Sequence, residues 1–251
     1  DFYNSYMDEA KADQLGVTPL NNVMSQIDMA KSHDDIATVM GELYALGVAG
    51  PMGFYVNNDA KQSDQYAIYL YQSGLGLPDR DYYSKDDEKS QEHRAAYVVY
   101  MTDMLTMAGV ADAKAAAERI LALETQLADK QWTRVESRDA NKRYNKYSSA
   151  DFASYMGGFA WQKYAAATGL DTTKEVIASQ NTYMKAFGEM YKNVELATWK
   201  EYMTKQLVSE YASLLSKDFA DRNFAFYSTQ LRGIEEQRPR WKRAVSGVDS
   251  V

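Results

Sequence analysis

The chain has 251 residues, of which 45% are hydrophobic and 25% charged, and its formal net charge is −7. This length and hydrophobic content can bury a substantial core, which excludes intrinsic disorder as an account of the whole molecule. The negative charge has the wrong sign for a broad nucleic-acid-binding face, so nucleic acid is not an expected partner. The absence of cysteine excludes disulfides, thiolate zinc sites and a cysteine nucleophile.

Membrane-spanning and targeting segments are not predicted. The longest weakly charged stretch, residues 40–56, is interrupted by Glu42, Pro51 and four glycines, and is shorter than the roughly 20 apolar residues that a spanning helix needs. Residues 1–4 lack the basic start and apolar run of a secretory signal peptide. We therefore expect no membrane span in this segment, and an export signal, if there is one, would not be part of it.

The first 50 residues predict two helices. Thr18 and Pro19 are suited to a helix start, and apolar residues follow at helical spacing as far as Ala30. A second helix begins at Asp34 or Asp35 and ends at a cluster of glycines. Its predicted apolar stripe consists of Ile36, Val39, Met40, Leu43 and Leu46.

The pattern then changes from helical to strand-like. Residues 54–56 and 66–71 are rich in aromatic and β-branched side chains, and the polar residues 57–65 between them suit the long tip of a hairpin. A β-hairpin at about residues 54–71 is the only β-structure that the sequence predicts.

The remaining sequence predicts helices in series. Helices over residues 88–108 and 111–130 are joined by a connection short enough to make them an antiparallel pair. A short helix capped by Ser149 or Asp151 follows, then one over residues 159–169, and the strongest periodicity spans residues 194–215. Because no long linker or internal repeat interrupts the pattern, we expect residues 1–251 to form a single mainly α domain with one hairpin.

Tests for known chemistry single out no catalytic residue. His33 and His93 are sixty positions apart, so they cannot be the paired ligands of a helical zinc site, and we interpret both as exposed helix histidines. Residues 74–79 begin like a dinucleotide-binding loop but have Asp79 where its third glycine belongs. The acidic run at 79–88 does not match an EF-hand loop, and we interpret it as solvated acids near a helix N-terminus.

A basic segment precedes the last predicted helix. Residues 238–243 place four positive charges around Trp241, next to Pro239 at a suitable first-turn position. Such a segment could bind an anion or another domain, but a solvated helix start is the favoured interpretation. Spacing alone therefore assigns no catalytic, metal-binding or substrate-binding residue.

Three segments are more specific than this helical background. Residues 74–83, GLGLPDRDYY, directly follow the aromatic strand. Residues 123–128 and 132–145 end one helix and lead through an R-D-x-x-x-x-Y-N turn towards the next, and residues 237–245, QRPRWKRAV, begin the last helix. In this order they resemble the signatures of the neprilysin, endothelin-converting enzyme and bacterial endopeptidase O family of zinc metalloendopeptidases. The resemblance extends over almost the whole chain.

This resemblance implies a role without catalysis for the segment. Members of the family resemble one another in having two mainly helical lobes around a closed cavity, one carrying zinc and the other acting as a cap that limits substrates to peptides. The chain corresponds to the bulk of the cap, and the family's H-E-x-x-H, E-x-x-x-D and N-A-Y/F-Y motifs would lie beyond Val251. The resemblance therefore carries no catalytic or metal residue onto this chain, and zinc is expected only in the missing catalytic domain.

Two departures from the family pattern concern cysteine. Tyr6 and Ala244 stand where animal members have cysteines that look like a bonded pair, so the chain resembles a bacterial, cysteine-free branch. Without that covalent tie, we expect the chain ends to exchange amide hydrogens faster than the helix at 194–215.

The leading hypothesis is the non-catalytic cap of a secreted, periplasmic or cell-surface bacterial zinc metalloendopeptidase, with its own catalytic lobe and peptides as partners. The alternative is a freestanding binding module that uses a tyrosine-rich surface, since the chain contains 20 tyrosines. The sequence ends at residues 247–251 without a helix cap or turn signal, which favours the interpretation as a fragment.

Overall fold

The computed structural model describes residues 1–248, which form thirteen α-helices and a four-stranded sheet. The helices are α1 (Phe2–Met7), α2 (Glu9–Leu15), α3 (Asn21–Met29), α4 (His33–Ala45), α5 (Asp81–Ser84), α6 (Glu88–Met107), α7 (Ala113–Lys130), α8 (Ser149–Met156), α9 (Trp161–Thr168), α10 (Asn181–Tyr191), α11 (Leu196–Tyr211), α12 (Lys217–Phe224) and α13 (Arg240–Val248). The strands are β1 (Met52–Asp59), β2 (Gln62–Gln72), β3 (Lys146–Ser148) and β4 (Glu175–Ala178). The predicted mainly α fold is confirmed.

Local signals in the sequence explain where several helices begin and end. The Ser32 hydroxyl accepts a hydrogen bond from the Asp35 amide at the start of α4, and Asp87 accepts one from the Ser90 amide at the start of α6. Gly109 follows α6 with φ of 79°, a conformation that stops a helix at little cost. The short connection packs α7 against α6, as the sequence predicts.

The β-structure is more extensive than the sequence predicts. The two hairpin strands continue to within two residues of each other, so residues 57–59 and 62–65 belong to the strands and do not form a long tip. The register shifts between Asn58 and Asp59. β4 pairs in parallel with β2, and β3 pairs antiparallel with β4, giving the strand order β1-β2-β4-β3. The prediction of a single hairpin is therefore incomplete, because these two short strands are held by a sheet that assembles from distant parts of the chain.

Smaller corrections concern helix ends. Leu46 lies just after α4 and is 47% exposed, so it is not part of the buried stripe. The cap of α8 is Ser148, whose hydroxyl accepts from the Asp151 amide, and neither Ser149 nor Asp151 is the cap. The helix predicted after Pro239 is α13, and residues 249–251 of the predicted chain end lie outside the described residues.

Most of the tyrosines are buried or half-buried within the domain. Only Tyr3, Tyr55 and Tyr66 among the 20 tyrosines are exposed. Buried phenols donate to backbone carbonyls of other elements, as Tyr183 does to Pro51 (2.7 Å) and Tyr191 to His33 (2.5 Å). A tyrosine-rich surface, on which the freestanding binding module depends, is therefore not what these residues form.

No helix within residues 1–248 combines the length and the apolar composition of a membrane span.

Candidate functional site

The first two motif segments, residues 74–83 and residues 123–145, meet at one buried carboxylate, that of Glu124 on α7. One oxygen of Glu124 accepts hydrogen bonds from the Gly76 amide (3.1 Å) and the Tyr83 hydroxyl (2.5 Å). The other oxygen accepts from the Tyr97 hydroxyl (3.0 Å) and lies 3.3 Å from the ammonium of Lys205. The carboxylate therefore joins the loop at 74–83 to three helices.

Lys205 and its neighbour on α11 complete this buried network. The Lys205 side chain is 1% exposed and that of Glu124 is 0% exposed, so both charges are removed from water. The Lys205 ammonium also donates to the Gln206 side chain (2.9 Å), whose amide donates to the Ala49 carbonyl (3.0 Å). The Tyr202 hydroxyl donates to the Gly74 carbonyl (2.7 Å). A buried pair is tolerated only with such additional hydrogen bonds.

The protonation behaviour of the network follows from its burial. Burial, followed by the charge of Glu124, raises the pKa of Tyr83 and of Tyr97 well above the usual value, so both phenols stay protonated and donate. Burial lowers the pKa of Lys205, while Glu124 opposes that shift. Because these groups are sealed from solvent, the arrangement fixes the position of the loop and offers no acid or base to a ligand.

The network also explains why the motif contains glycine at two positions. A Cβ at Gly76 would overlap the Tyr97 hydroxyl and the Lys205 ammonium, which occupy the space where a side chain would begin. Gly74 has φ of 87°, in the left-handed region, and a Cβ there would overlap the Tyr202 hydroxyl. Both glycines therefore permit close approach of the loop to the buried polar groups.

A cleft of about 490 Å³ opens on the solvent side of this loop, and we call it the motif cleft. Arg134, from the second motif segment, pairs with Asp79 of the first and donates to the Pro78 carbonyl (3.4 Å). Arg134 is largely exposed and Val135 is 76% exposed. The lining residues are Asp79, Asp81, Tyr82, Lys85, Thr133, Arg134 and Val135. This rim presents paired charges and one apolar side chain, which suits contact with another surface.

The histidines are not exposed, contrary to the interpretation from the sequence. His93 is 7% exposed, and its ring lies 5.5 Å from that of Tyr82. His33 is half-buried, and its Nε2 lies 2.9 Å from the Val194 carbonyl. Both rings fill packing positions between helices, which their polar sequence neighbours do not reveal.

The acidic run and the basic segment are only partly solvated. Asp87 caps α6, whereas Asp79 is mostly buried and paired with Arg134. In the basic segment, Arg240 is 13% exposed as a side chain and donates to the Tyr6 carbonyl (2.7 Å), and Arg243 donates to the Tyr6 hydroxyl (2.9 Å). The segment is therefore a contact between α13 and α1, in addition to a helix start.

The residues that the structure describes do not fit a zinc site. Within residues 1–248, no three His, Cys, Asp or Glu side chains converge as metal ligands. The Nε2 of His33 contacts a backbone carbonyl, and the one acid of the network, Glu124, is bound by phenols, an amide and an ammonium.

Sequence reasoning did not identify Glu124, Lys205 or Gln206 as a group. The available signal was a charged or amide residue at a position where the helical period requires an apolar one, since Glu124 lies between Leu123 and Leu127 on the buried face of α7. Their pairing across 81 positions in the chain could not be inferred from one sequence.

The fold is that of the N-terminal domain of a helical peptidase. The chain belongs to peptidase family M13, whose N-terminal domain model matches residues 1–251. Endothelin-converting enzyme 1 from Mus musculus is 24% identical over 262 residues, covering 99% of this chain and 34% of that protein.

Solved structures show the same relation. The zinc metalloprotease Zmp1 from Mycobacterium tuberculosis, in its open state, is 34% identical with a TM-score of 0.94, covering 99% of this chain and 39% of that chain. PepO from Lactobacillus rhamnosis shares the fold with a TM-score of 0.81 at 20% identity, covering 99% of this chain and 40% of that chain. The chain thus spans between a third and two fifths of the length of these proteins.

Proposed function

We propose that residues 1–251 are a single non-catalytic cap domain of a longer bacterial zinc metalloendopeptidase. The observation that carries this proposal is the match of the whole chain to the N-terminal domain of peptidase family M13. The chain supplies a wall, and the zinc and the groups that cleave the peptide bond belong to the catalytic lobe, which is its partner. Its substrates are peptides, and it acts outside the cytoplasm, in the periplasm or at the cell surface.

The buried network supports a role as a rigid wall. A cap that excludes folded proteins must keep its shape. The loop at 74–83 is bound to Glu124 and Tyr202, and Glu124 is paired with Lys205, so the loop cannot shift without disrupting charged hydrogen bonds. The motif cleft lies on this fixed loop, so its rim offers a defined surface to a second lobe.

The test compares the natural gene product with the 251-residue chain. Antibody raised against the chain should detect a product far heavier than 28.4 kDa in source cells, and the purified product should contain zinc and cleave a flexible peptide in a chelator-sensitive way. The chain alone should cleave nothing. A product of the same mass as the chain without metal would instead indicate a freestanding binding module, and chelator-sensitive cleavage by the chain alone would contradict the cap role.

Substrate restriction is tested with one cleavable sequence in two settings. The heavy product should hydrolyse it as a free peptide and leave it intact inside a loop of a folded protein. Equal hydrolysis of both would show that no wall limits access to the catalytic zinc.

A further inference from the structure

The last helix, α13, has an apolar face that stays open to solvent among the described residues. Trp241, Val245 and Val248 recur at helical spacing, so they lie in one stripe along the helix. They are 51%, 45% and 47% exposed. Single exposed apolar side chains are common on protein surfaces, but three in one stripe on a helix of nine residues indicate a contact surface. We call this stripe the outer face of α13.

The neighbouring face of α13 is already packed against α1. Ala244 is 0% exposed, and a Cβ at Gly247 would overlap the ring of Phe2. Arg240 donates to the Tyr6 carbonyl (2.7 Å). Since successive residues of a helix are turned by about 100°, this packing also fixes the direction of the outer face. The outer face is therefore presented to solvent by a helix that is held in place.

Two positive charges border the outer face. Arg238 is exposed just before the helix, and the exposed Lys242 has its ammonium 5.4 Å from the centre of the Trp241 ring. Within residues 1–248, neither side chain forms an ion pair with an acid. A surface that complements the outer face is therefore apolar at its centre and acidic at its edge.

The polypeptide that follows residue 251 is the occupant that these observations favour. In the proposed longer protein the chain continues from α13, because the match is to an N-terminal domain and more than half of the length of Zmp1 lies outside it. A segment attached at the end of α13 stays close to the outer face, so its local concentration there is high. The inference therefore rests on the proposed function.

Two other occupants suit the outer face less well. Amphipathic helices with tryptophan and basic residues bind anionic lipid surfaces, but α13 has only nine residues and the net charge of the chain is −7, which opposes such binding. A second copy of the chain would bring the same basic edge against the first in a symmetric pair, and like charges repel.

We propose that the outer face of α13 binds the segment that directly follows residue 251, through an apolar surface with acidic side chains at its edge. Trp241, Val245 and Val248 become buried in this contact, and the two bordering positive charges pair with the acids. The helix then lies between α1 on one face and the following segment on the next.

This contact also gives the basic segment at 238–243 two separate uses. Arg240 and Arg243 bind Tyr6 and hold α13 against α1. Arg238 and Lys242 remain available for the polypeptide that follows.

The experiment compares the longer gene product with the 251-residue chain, each carrying Val245→Cys. The chain has no cysteine of its own, and peptide mapping by mass spectrometry identifies the introduced thiol in the longer product. Maleimide should modify this thiol at least about tenfold more slowly in the longer product, because the side chain becomes buried there. Val99→Cys is the matched control on α6, where Val99 is 55% exposed, and it should react at the same rate in both proteins.

A second substitution tests the contact through stability. Val245→Lys keeps a good helix former in α13 and places a charge in the apolar stripe. It should leave the thermal unfolding midpoint of the chain unchanged and lower that of the longer product. Unchanged midpoints in both proteins would overturn the proposal.

The outcomes separate this contact from the cap role. A heavy, zinc-containing product whose introduced thiol reacts as fast as in the chain, or no more slowly than at Val99→Cys, would overturn the contact and leave the cap role standing. A product of the same mass as the chain would overturn both. Protection that rises with the concentration of the chain would indicate a second copy, and protection only with phosphatidylglycerol vesicles would indicate a membrane; each would overturn the proposal.

Discussion

The backbone of Gly76 lies so close to the buried ion pair of Glu124 and Lys205 that no side chain fits at this position. Its amide donates to Glu124, and the Tyr97 hydroxyl and Lys205 ammonium occupy the space of a Cβ. This single residue connects the loop sequence with the charges that hold it. The glycine is recognisable in the sequence as part of a motif, but the reason for it depends on α6, α7 and α11, which only the fold brings together.

Substitution of this glycine should be strongly destabilising. Gly76→Ala forces the loop away from Glu124 or displaces Tyr97 and Lys205, and we expect the free energy of unfolding to fall by about 3 kcal/mol. Urea unfolding followed by circular dichroism measures the change. Gly50→Ala is the matched control because a Cβ at Gly50 meets no atom within 4 Å, and it should change stability by less than about 0.5 kcal/mol. Equal effects of the two substitutions would contradict the assigned role of Gly76.

At the scale of elements, the strongly periodic helices are predictable and the short strands are not. The helix predicted at 88–108 is α6, Glu88–Met107, because its apolar spacing and its Asp87 cap are local properties. β4 has four residues and β3 has three, too few to show a period of two. They become strands because β2 offers its free edge to β4, a pairing between residues more than 100 positions apart.

The candidate sites, too, are predictable from the sequence only in part. The motif segments are visible in the sequence, and the structure shows two of them in contact through Glu124 and Arg134. The partners of those residues are determined by helix packing, and the positions of Arg143 and Ser179, which flank β3 and β4, are determined by the pairing of those two strands. Neither follows from local spacing.

The contact between α1 and α13 is built from noncovalent interactions around Tyr6. The Tyr6 ring lies 4.7 Å from the Arg240 guanidinium and 5.8 Å from that of Arg243, and its hydroxyl accepts from Arg243. Ala244 of α13 is 0% exposed. The two helices are therefore joined near Tyr6 and Ala244 by interactions weaker than a disulfide.

Removal of the Tyr6 ring should loosen both of these helices and no others. We expect Tyr6→Leu to increase amide exchange in α1 and α13 about fivefold, because a cation–π contact contributes about 1 kcal/mol. Hydrogen exchange with mass spectrometry measures this, and in the unsubstituted chain both helices should already exchange faster than α11. Tyr3→Leu alters the same helix at an exposed position and serves as the control. Uniform protection across α1, α13 and α11 would refute the expectation.

For the whole molecule, the tyrosine-rich interior determines the response to alkali. Burial raises the pKa of Tyr71 to about 12, and it raises the pKa of Tyr164, Tyr183 and Tyr202 further above the usual value of 10.0. In the unfolded chain these phenols ionise near pH 10. Because their pKa values are higher in the folded state, the stability they contribute is fully present below pH 10 and is lost as the pH rises above it.

We therefore expect cooperative alkaline unfolding that begins above pH 10, in which the buried tyrosines ionise together with the loss of helix. Tyrosinate absorbance and circular dichroism, recorded on the same samples, measure the two processes. Tyr66→Phe alters a side chain that is 79% exposed and should leave the cooperative step unchanged. Tyr183→Phe should remove part of that cooperative step. A gradual titration of all tyrosines near pH 10 with helix retained to pH 12 would show that these phenols are accessible to solvent, and the rigid interior inferred for this domain would then be wrong.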